Sequence, residues 1–467
     1  MNSMLKQFAE SAMPTLPPGT RILFANAPAD GHFNPLTALA VHLRNEGCDV
    51  RWYSSAQFAD KIKRMGIPVY PFRRALDWTG DKIDEFFPER KKIKLKIKKL
   101  NFDMINAFIL RSTEYYADIS EIYQSFPFDV FIADNCFSAV PFVKDKIGVP
   151  VISIGVLPLT ETSKDLAPTG LGMTPARTFA GRRKQDFLRW LANKVLFRKP
   201  NELMQQLLKR HGIESDGCNV FDLIAHKSDL LLQSGTPSFE YKRSDLSSNV
   251  RFIGPLLPWS EKKQGRLWCD SKLQRYKKVI LVTQGTVEKD TSKLLVPVLE
   301  ALKNTEYLVV VTTGGSDTIK LQSKYFYDNI IIEDFIPFHQ VMPLAHACIT
   351  NGGYGGVMLA IKHQLPIIAA GIHEGKNEIN ARIGYFKLGV NLGTERPTPA
   401  QIRKSVEKIM NDETYLSNVT RLSWEFAAYE PLTLCASYIA SVLPPDNTAK
   451  LLQQPGPQQA LTQLMNN

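Results

Sequence analysis

No stretch of this sequence holds about eighteen consecutive apolar residues, the length a helix needs to cross the hydrocarbon of a bilayer. The opening MNSMLKQFAESAMPTLPPGT lacks the apolar centre of a secretory signal. It reads as a loose arm, and a cytoplasmic protein is expected. The 6 cysteines, Cys48, Cys136, Cys218, Cys269, Cys348 and Cys435, are scattered with no CxxC pair. That pattern argues against a structural zinc and a disulfide framework and suits a reducing compartment. No DxD pair stands near the end of an apolar run and the histidines do not cluster, so no metal is expected. No zinc-finger, RNA-recognition or helix-turn-helix signature is present, so a nucleic-acid partner is not expected either.

Acidic residues are outnumbered, and the net charge is +11. Most of that excess sits in one place: RKKIKLKIKK, Arg90 to Lys99, has seven basic residues and no acidic one. Ile93, Ile97 and Leu100 recur at i, i+4 and i+7, the spacing of an amphipathic helix. A solvated basic face over an apolar stripe is the plain reading, and contact with an anionic membrane or an acidic partner is the alternative.

A chain of 467 residues exceeds one ordinary core, so two or three domains are expected. The first half alternates strand and helix. RILFANAP is a strand, NPLTALAVHLRNEG a helix with Pro35 at its start and Gly47 at its end, and DVRWYSS the next strand. FDVFIADN and VPVISIGVLP are further apolar strands, with AVPFVKDKIG helical between them, and the basic stretch from about Lys164 to Asn219 reads as helical elaboration. The pattern restarts with KKVILVTQGT, the helix SKLLVPVLEALKN, and the runs TEYLVVVTTGG, NIIIEDFIP, HACITNGG and LPIIAAG. Continuous apolar strands joined by helices predict parallel sheets covered on both faces. VRFIGPLLP, with its glycine and prolines, reads as the linker. The fold class is therefore α/β, with two Rossmann-like doubly wound parallel-sheet domains. Ligands in such sheets bind beyond the strand C-termini, which singles out four turns: 27–34, 134–138, 284–288 and 351–356.

In ITNGGYGGVMLAIKHQLP, the residues Asn351, Gly352, Gly353, Gly355 and Gly356 follow a strand and open a helix expected to start near Val357. Glycines there let amide groups approach a ligand, and a helix N-terminus favours an anion, best a phosphate. The motif lacks the Lys-Ser/Thr end of a P-loop. Gln284-Gly285-Thr286 repeats the theme after the domain's first strand, where Gly285 and Thr286 bind the other side of the same group. His32 stands in a Gly/Pro turn at the end of the first strand, and a base of near-neutral pKa there suits deprotonation of an alcohol. Asp134, at the end of another strand of that domain, is the carboxylate that would hold its other ring nitrogen. A tight-packing role for the glycines, and a helix cap or turn role for Asp134, are the plainer readings.

Together these motifs make the sequence similar to the family 1 glycosyltransferases, inverting enzymes of natural-product and xenobiotic glycosylation, over about Arg21 to Leu443. GHFNP resembles the family's catalytic-histidine turn, VRFIGPLLP its interdomain stretch, and NGGYGGVMLAIKHQLPIIAAGIHEGKNEINAR its nucleotide-sugar signature, closest to bacterial macrolide-glycosyltransferase-like members. The resemblance implies a GT-B fold with a central cleft. An N-terminal acceptor domain spans 1–240, a C-terminal nucleotide-sugar domain 241–425, and a returning helix with a mobile tail 426–467. It implies a UDP- or dTDP-sugar donor, glucose foremost, as co-substrate, with no cofactor and no metal. Gly31 is counted with the donor contacts, Phe335 stacks on the base, and Ile336 offers backbone hydrogen bonds. Asn351 stands where many members have His, and Met358-Leu359 where many have a ribose-binding Glu, which makes a deoxyribose donor conceivable. Gly375-Lys376 replaces the usual sugar-contacting acid and Gln, with Glu374 one place early. The acceptor is expected to be a small hydrophobic alcohol or phenol. Trp78, Phe86, Phe87, Phe102, Phe108, Phe137 and Leu157 are candidates for its pocket, although all could equally be core. The alternatives are a membrane-associated lipid glycosyltransferase, a non-catalytic protein of the same fold, and an epimerase acting on the donor alone.

Overall fold

The computed structural model describes residues 14–78, 83–260, 268–285, 287–373 and 375–444. The first sheet holds β1 (Arg21–Ala25), β2 (Asp49–Ser54), β3 (Val69–Pro71), β4 (Val130–Asp134), β5 (Val151–Gly155), β6 (Leu230–Gln233) and β7 (Val250–Phe252). Their order is β3-β2-β1-β4-β5-β6-β7, every pair parallel. The second sheet holds β8 (Lys278–Thr283), β9 (Tyr307–Thr312), β10 (Ile330–Glu333), β11 (Ala347–Thr350), β12 (Ile367–Ala369) and β13 (Gly389–Asn391), ordered β10-β9-β8-β11-β12-β13 and again parallel throughout.

The unbroken apolar runs explain this architecture. In β1, Ile22 and Phe24 enter one core cluster while Leu23 and Ala25 enter the cluster on the opposite face. In β8, Val279 and Leu281 divide from Ile280 and Val282 in the same way. A strand apolar at every position needs helices on both faces, which parallel crossovers supply. The longer helices are α1 (Asp30–Asn45), α2 (Lys96–Asp103), α3 (Arg111–Ser125), α4 (Phe179–Leu191), α5 (Arg198–Arg210), α6 (Leu295–Leu302), α7 (Tyr354–Lys362), α8 (Lys376–Tyr385), α9 (Pro399–Asn411), α10 (Glu413–Ala427) and α11 (Pro431–Val442). α11 returns to the first domain, where Cys435 and Ile439 pack in the cluster that holds Leu36 and Leu39 of α1. The 445–467 tail read as mobile lies outside the described residues.

Several sequence expectations are corrected. VRFIGPLLP is only in part a linker, because Val250–Phe252 forms β7 and carries the first sheet beyond residue 240. α1 begins at Asp30, so Pro35 lies inside the helix and His32 lies in its first turn rather than in a preceding loop. Segment 90–99 is not one helix: a 3-10 turn ends at Lys92, Ile93 is extended, and α2 starts at Lys96. Lysines three and four apart would repel along one helix, and Arg90 is held instead by Asp84 (2.5 Å) and Asp103 (2.5 Å). The 164–219 stretch becomes helical only at Phe179, after a run that contains Pro168, Gly170, Gly172 and Pro175.

A buried ionic cluster ties the domains together. Arg382 on α8 donates to Glu240, which follows the first domain's β6, through Nε (3.0 Å) and Nη2 (2.7 Å), and its Nη1 reaches Glu378 (3.2 Å). The other Glu240 oxygen accepts the Leu159 amide at 2.9 Å. Glu378 also accepts the Gly170 and Gly172 amides, each at 2.8 Å. Side chains of Arg382 and Glu240 are 2% and 4% exposed, so removing one partner strands a buried charge. Arg382→Met is therefore expected to cost on the order of 3–5 kcal/mol, and Glu378→Gln much less. Urea denaturation followed by tryptophan fluorescence checks both, and equal midpoints would contradict the assignment.

Candidate active site

Each sheet reverses its winding once, between β1 and β4 and between β8 and β11. The crevices where ligands enter doubly wound sheets lie at such points, and all four singled-out turns leave these four strands.

The pair register sets Ala25 opposite Ala133, so the chain beyond β1 passes directly beside Asp134. Asp134 is fully buried and its carboxylate is saturated with donors. One oxygen accepts the Ala27 amide (2.6 Å); the other accepts the Cys136 amide (2.9 Å) and lies 2.7 Å from His32 Nδ1. In the neutral imidazole that contact fixes the tautomer, with the proton on Nδ1 and a lone pair on Nε2. The turn is held by Asn26, whose side-chain oxygen accepts from Trp52 Nε1 and Ser54 Oγ, both at 2.8 Å, while its amide caps the Ala27 carbonyl. Burial disfavours the charged imidazole, but the Asp134 charge and hydrogen bond, with Cys136 adding to them, outweigh it and raise His32 well above its ordinary value of 6.5.

On the second sheet, α7 begins at Tyr354, one residue past Gly353 and three earlier than expected. Gly352 has φ +88°, and a Cβ there would run into the buried Asn380 side chain. Gly353, Gly355 and Gly356 face open space, so their lack of side chains leaves room beside the first amides of α7. The Asn351 side chain donates to the Gln284 carbonyl, which draws the Gly285 turn (φ +75°) against the Gly-rich turn. Phe335 is 68% exposed and lies over Gly315, an accessible ring rather than core, whereas Ile336 is buried. Lys376 opens α8, and its side chain passes over Gly371. Thr286 and Glu374 lie outside the described residues.

The two halves meet. The Tyr354 hydroxyl donates to the Ser234 carbonyl at the end of β6 (2.6 Å), and α7 touches α1. The Gly-rich helix therefore lies against the helix that carries His32 and Gly31, and its first residue reaches the end of β6. Tyr354 was not singled out from the sequence, although it stands inside the glycine motif. Glu240, Arg382 and Asn26 carry no local signal.

The acceptor candidates separate. Phe137 is fully enclosed, stacked on Tyr115 with centroids 4.7 Å apart, so it has no face to offer a ligand and the expectation is corrected. Trp78 is nearly enclosed, bonded to the Ala107 carbonyl (3.1 Å) and set edge-on to half-buried Phe108. Ser138 donates to the Phe108 carbonyl (2.8 Å), which brings that pair to the Asp134 turn. Leu157 lies beyond the neighbouring β5 against the α1 core. Phe86 is exposed, and Phe87 packs edge-on with Phe102, away from these contacts.

Among the described residues, His32, Asp134 and Cys136 are the one group whose metal-ligand-type atoms lie within 4.8 Å of one another. Asp134 already serves His32 and two amides, so a cation there would displace hydrogen bonds that hold the turn.

Residues 297–436 match the model of the erythromycin biosynthesis protein CIII-like C-terminal domain. The chain is 33% identical over 411 residues to 4'-demethylrebeccamycin synthase of Lentzea aerocolonigenes, covering 88% of this chain and 96% of that one. It is 28% identical to UDP-glycosyltransferase 2 of Phaeomoniella chlamydospora, over 90% of this chain and 94% of that one. The crystal structure of a calicheamicin glycosyltransferase superposes with a TM-score of 0.70 at 19% identity, covering 91% and 98% of the two chains.

The native His32–Asp134 pair holds a proton that the unfolded chain releases. Its stabilisation is thus complete below pH 6.5 and lost as pH rises through the raised value. Asp134→Asn is expected to lower the His32 titration, followed by imidazole NMR, since burial then acts without the opposing charge, and to remove that stabilisation at low pH. An unmoved titration would deny the carboxylate its role.

Proposed function

We propose that this chain, which belongs to the nucleotide-sugar-dependent glycosyltransferases of GT-B fold, is an inverting O-glycosyltransferase in which His32 is the general base. The observation that carries the reading is that α1, whose His32 is paired with Asp134 of β4, packs against α7, whose first turn is lined by open glycines. An acceptor hydroxyl donates to His32 Nε2, the nitrogen that Asp134 leaves free. As its oxygen bonds to the anomeric carbon from one side, the bond from that carbon to the diphosphate oxygen breaks on the other. The proton rests on the imidazole, stabilised as imidazolium by Asp134, and the configuration inverts. The leaving diphosphate collects negative charge beside the amides of Gly352 to Gly356 and the α7 N-terminus. Such a preorganised site stabilises charge without a metal.

The donor is a UDP- or dTDP-sugar, with Phe335 as the base platform and Lys376 beside the sugar or diphosphate. Met358, at the place of a ribose-binding acid in similar enzymes, is wholly buried, which favours a donor whose sugar needs no such partner and keeps thymidine in play. The acceptor is a small hydrophobic alcohol or phenol entering from the side of Phe108 and Leu157.

Nucleoside diphosphate release from a panel of UDP- and dTDP-sugars, with and without phenolic and terpenoid alcohols, tests the reading. Release should require both substrates, survive EDTA, and fall about 10²–10⁴-fold in His32→Ala. Release without alcohol would indicate an epimerase or hydrolase. The kcat/KM profile should rise with pH through an inflection above 6.5, since only neutral imidazole accepts the proton. Gly353→Ala, which meets no atom in the fold, should raise the donor KM while leaving the melting temperature unchanged. An unaffected KM would remove the phosphates from this loop.

A further inference from the structure

The basic segment takes no part in the site described above, yet the fold gives it a neighbour of the same character. α4 presents Phe179, Phe187 and Trp190 to solvent, 74%, 57% and 55% exposed, and the π-helical turn that extends it adds Val195 at 53%. Phe187 and Trp190 stack on each other, with centroids 5.9 Å apart and planes 26° from parallel. Across from them, Leu95 and Leu100 are 58% and 45% exposed. The two stretches adjoin, because Asn101 Nδ2 donates to the Leu196 carbonyl at 2.6 Å, which sets Leu100 beside the end of the α4 extension.

Charge surrounds these apolar side chains. Arg182, Arg183, Lys184 and Lys194 form no ion pair among the described residues, nor do Lys91, Lys92, Lys94, Lys98 and Lys99. Of the nearby acids, Asp84, Asp103 and Asp186 are paired with Arg90 and Arg189, and the exposed Glu85 and Glu89 are outnumbered by the unpaired cations. Exposed aromatics flanked by unpaired lysines and arginines are costly in water and suited to a headgroup layer. There the rings enter the acyl boundary while the cations meet anionic lipid.

We propose that the adjoining α2 and α4 surfaces dock this protein on an anionic lipid bilayer. The charge pattern selects that occupant: the face offers many unpaired cations, and an anionic leaflet supplies matching charge over the whole area. The proposal does not depend on the chemistry assigned to His32.

Flotation of the purified full-length chain with vesicles tests it, using phosphatidylcholine alone and phosphatidylcholine with phosphatidylglycerol. Binding is expected only to the mixed vesicles, and it should weaken as salt rises. Lys91→Glu with Lys92→Glu and Lys94→Glu should cut the bound fraction by about tenfold or more, and Phe187→Ser with Trp190→Ser should do likewise. Trp424→Ser, at a residue 68% exposed on α10 of the other domain, should leave binding intact. All these side chains are exposed, so melting by circular dichroism is expected to match the parent. No flotation at low salt, equal flotation with neutral vesicles, or retained binding in both surface variants would each overturn the proposal. So would a parent that sediments as an oligomer, is dispersed by Phe187→Ser with Trp190→Ser, and never floats.

Discussion

A single buried carboxylate organises the end of the first sheet. Asp134 accepts one hydrogen bond from each of two backbone amides, Ala27 on one side and Cys136 on the other, and holds the imidazole of His32. A charge in that position is tolerated only because every donor around it is aimed inward. The same arrangement fixes the exit of β1, the start of α1 and the tautomer of the histidine. Chemistry and fold therefore share one constraint. The turn that folds correctly is the turn that sets the His32 imidazole on Asp134, and a change that loosens Asp134 moves that ring as well as its proton affinity.

The second sheet solves a different problem with the same topology. Its crevice is lined by glycines with open space beside them at the start of a helix. Asn351 plays the part there that Asp134 plays in the first sheet, drawing two neighbouring turns together across the switch between β8 and β11. The two crevices become one site through contacts that are not themselves reactive. Tyr354 ties the glycine turn to the end of β6, and Arg382 ties α8 to Glu240. Glu378 then takes the amides of Gly170 and Gly172 from the first domain, two residues along the helix from Lys376. The loop of Gly170 and Gly172 and the helix that opens with Lys376 are thus held by one hydrogen-bonded chain.

Much of this was legible in the sequence because its signals are local and strong. Strands apolar at every position announce parallel sheets, and a run of glycines between a strand and a helix announces an open turn at the helix start. What stayed hidden depends on partners far apart in the chain. β3 and β13 are three-residue edge strands, and β7 looked like linker because its neighbours are glycine and proline. Arg382 reads as an ordinary helix cation until Glu240 is placed beside it, 142 residues away. Phe137 looked like a pocket aromatic because it follows Asp134 so closely. It enters the core on Tyr115 instead, and no periodicity in so short a turn could tell.

The corrected reading of segment 90–99 carries the argument one step further. As one continuous helix, its apolar stripe would have been covered by the domain, leaving only a solvated basic face. Broken at Ile93, and with Arg90 turned to Asp84 and Asp103, the segment keeps Leu95 and Leu100 outside among lysines. Like-charge repulsion along a helix and the pull of two aspartates on one arginine thus suffice to turn a core-facing stripe into a surface. α4 presents the same mixture without being broken, because its aromatics lie on the face away from the buried Gln185. Two segments of unrelated sequence, joined by one side-chain hydrogen bond, reach the same solution on the same domain, as packing within that domain alone would not require.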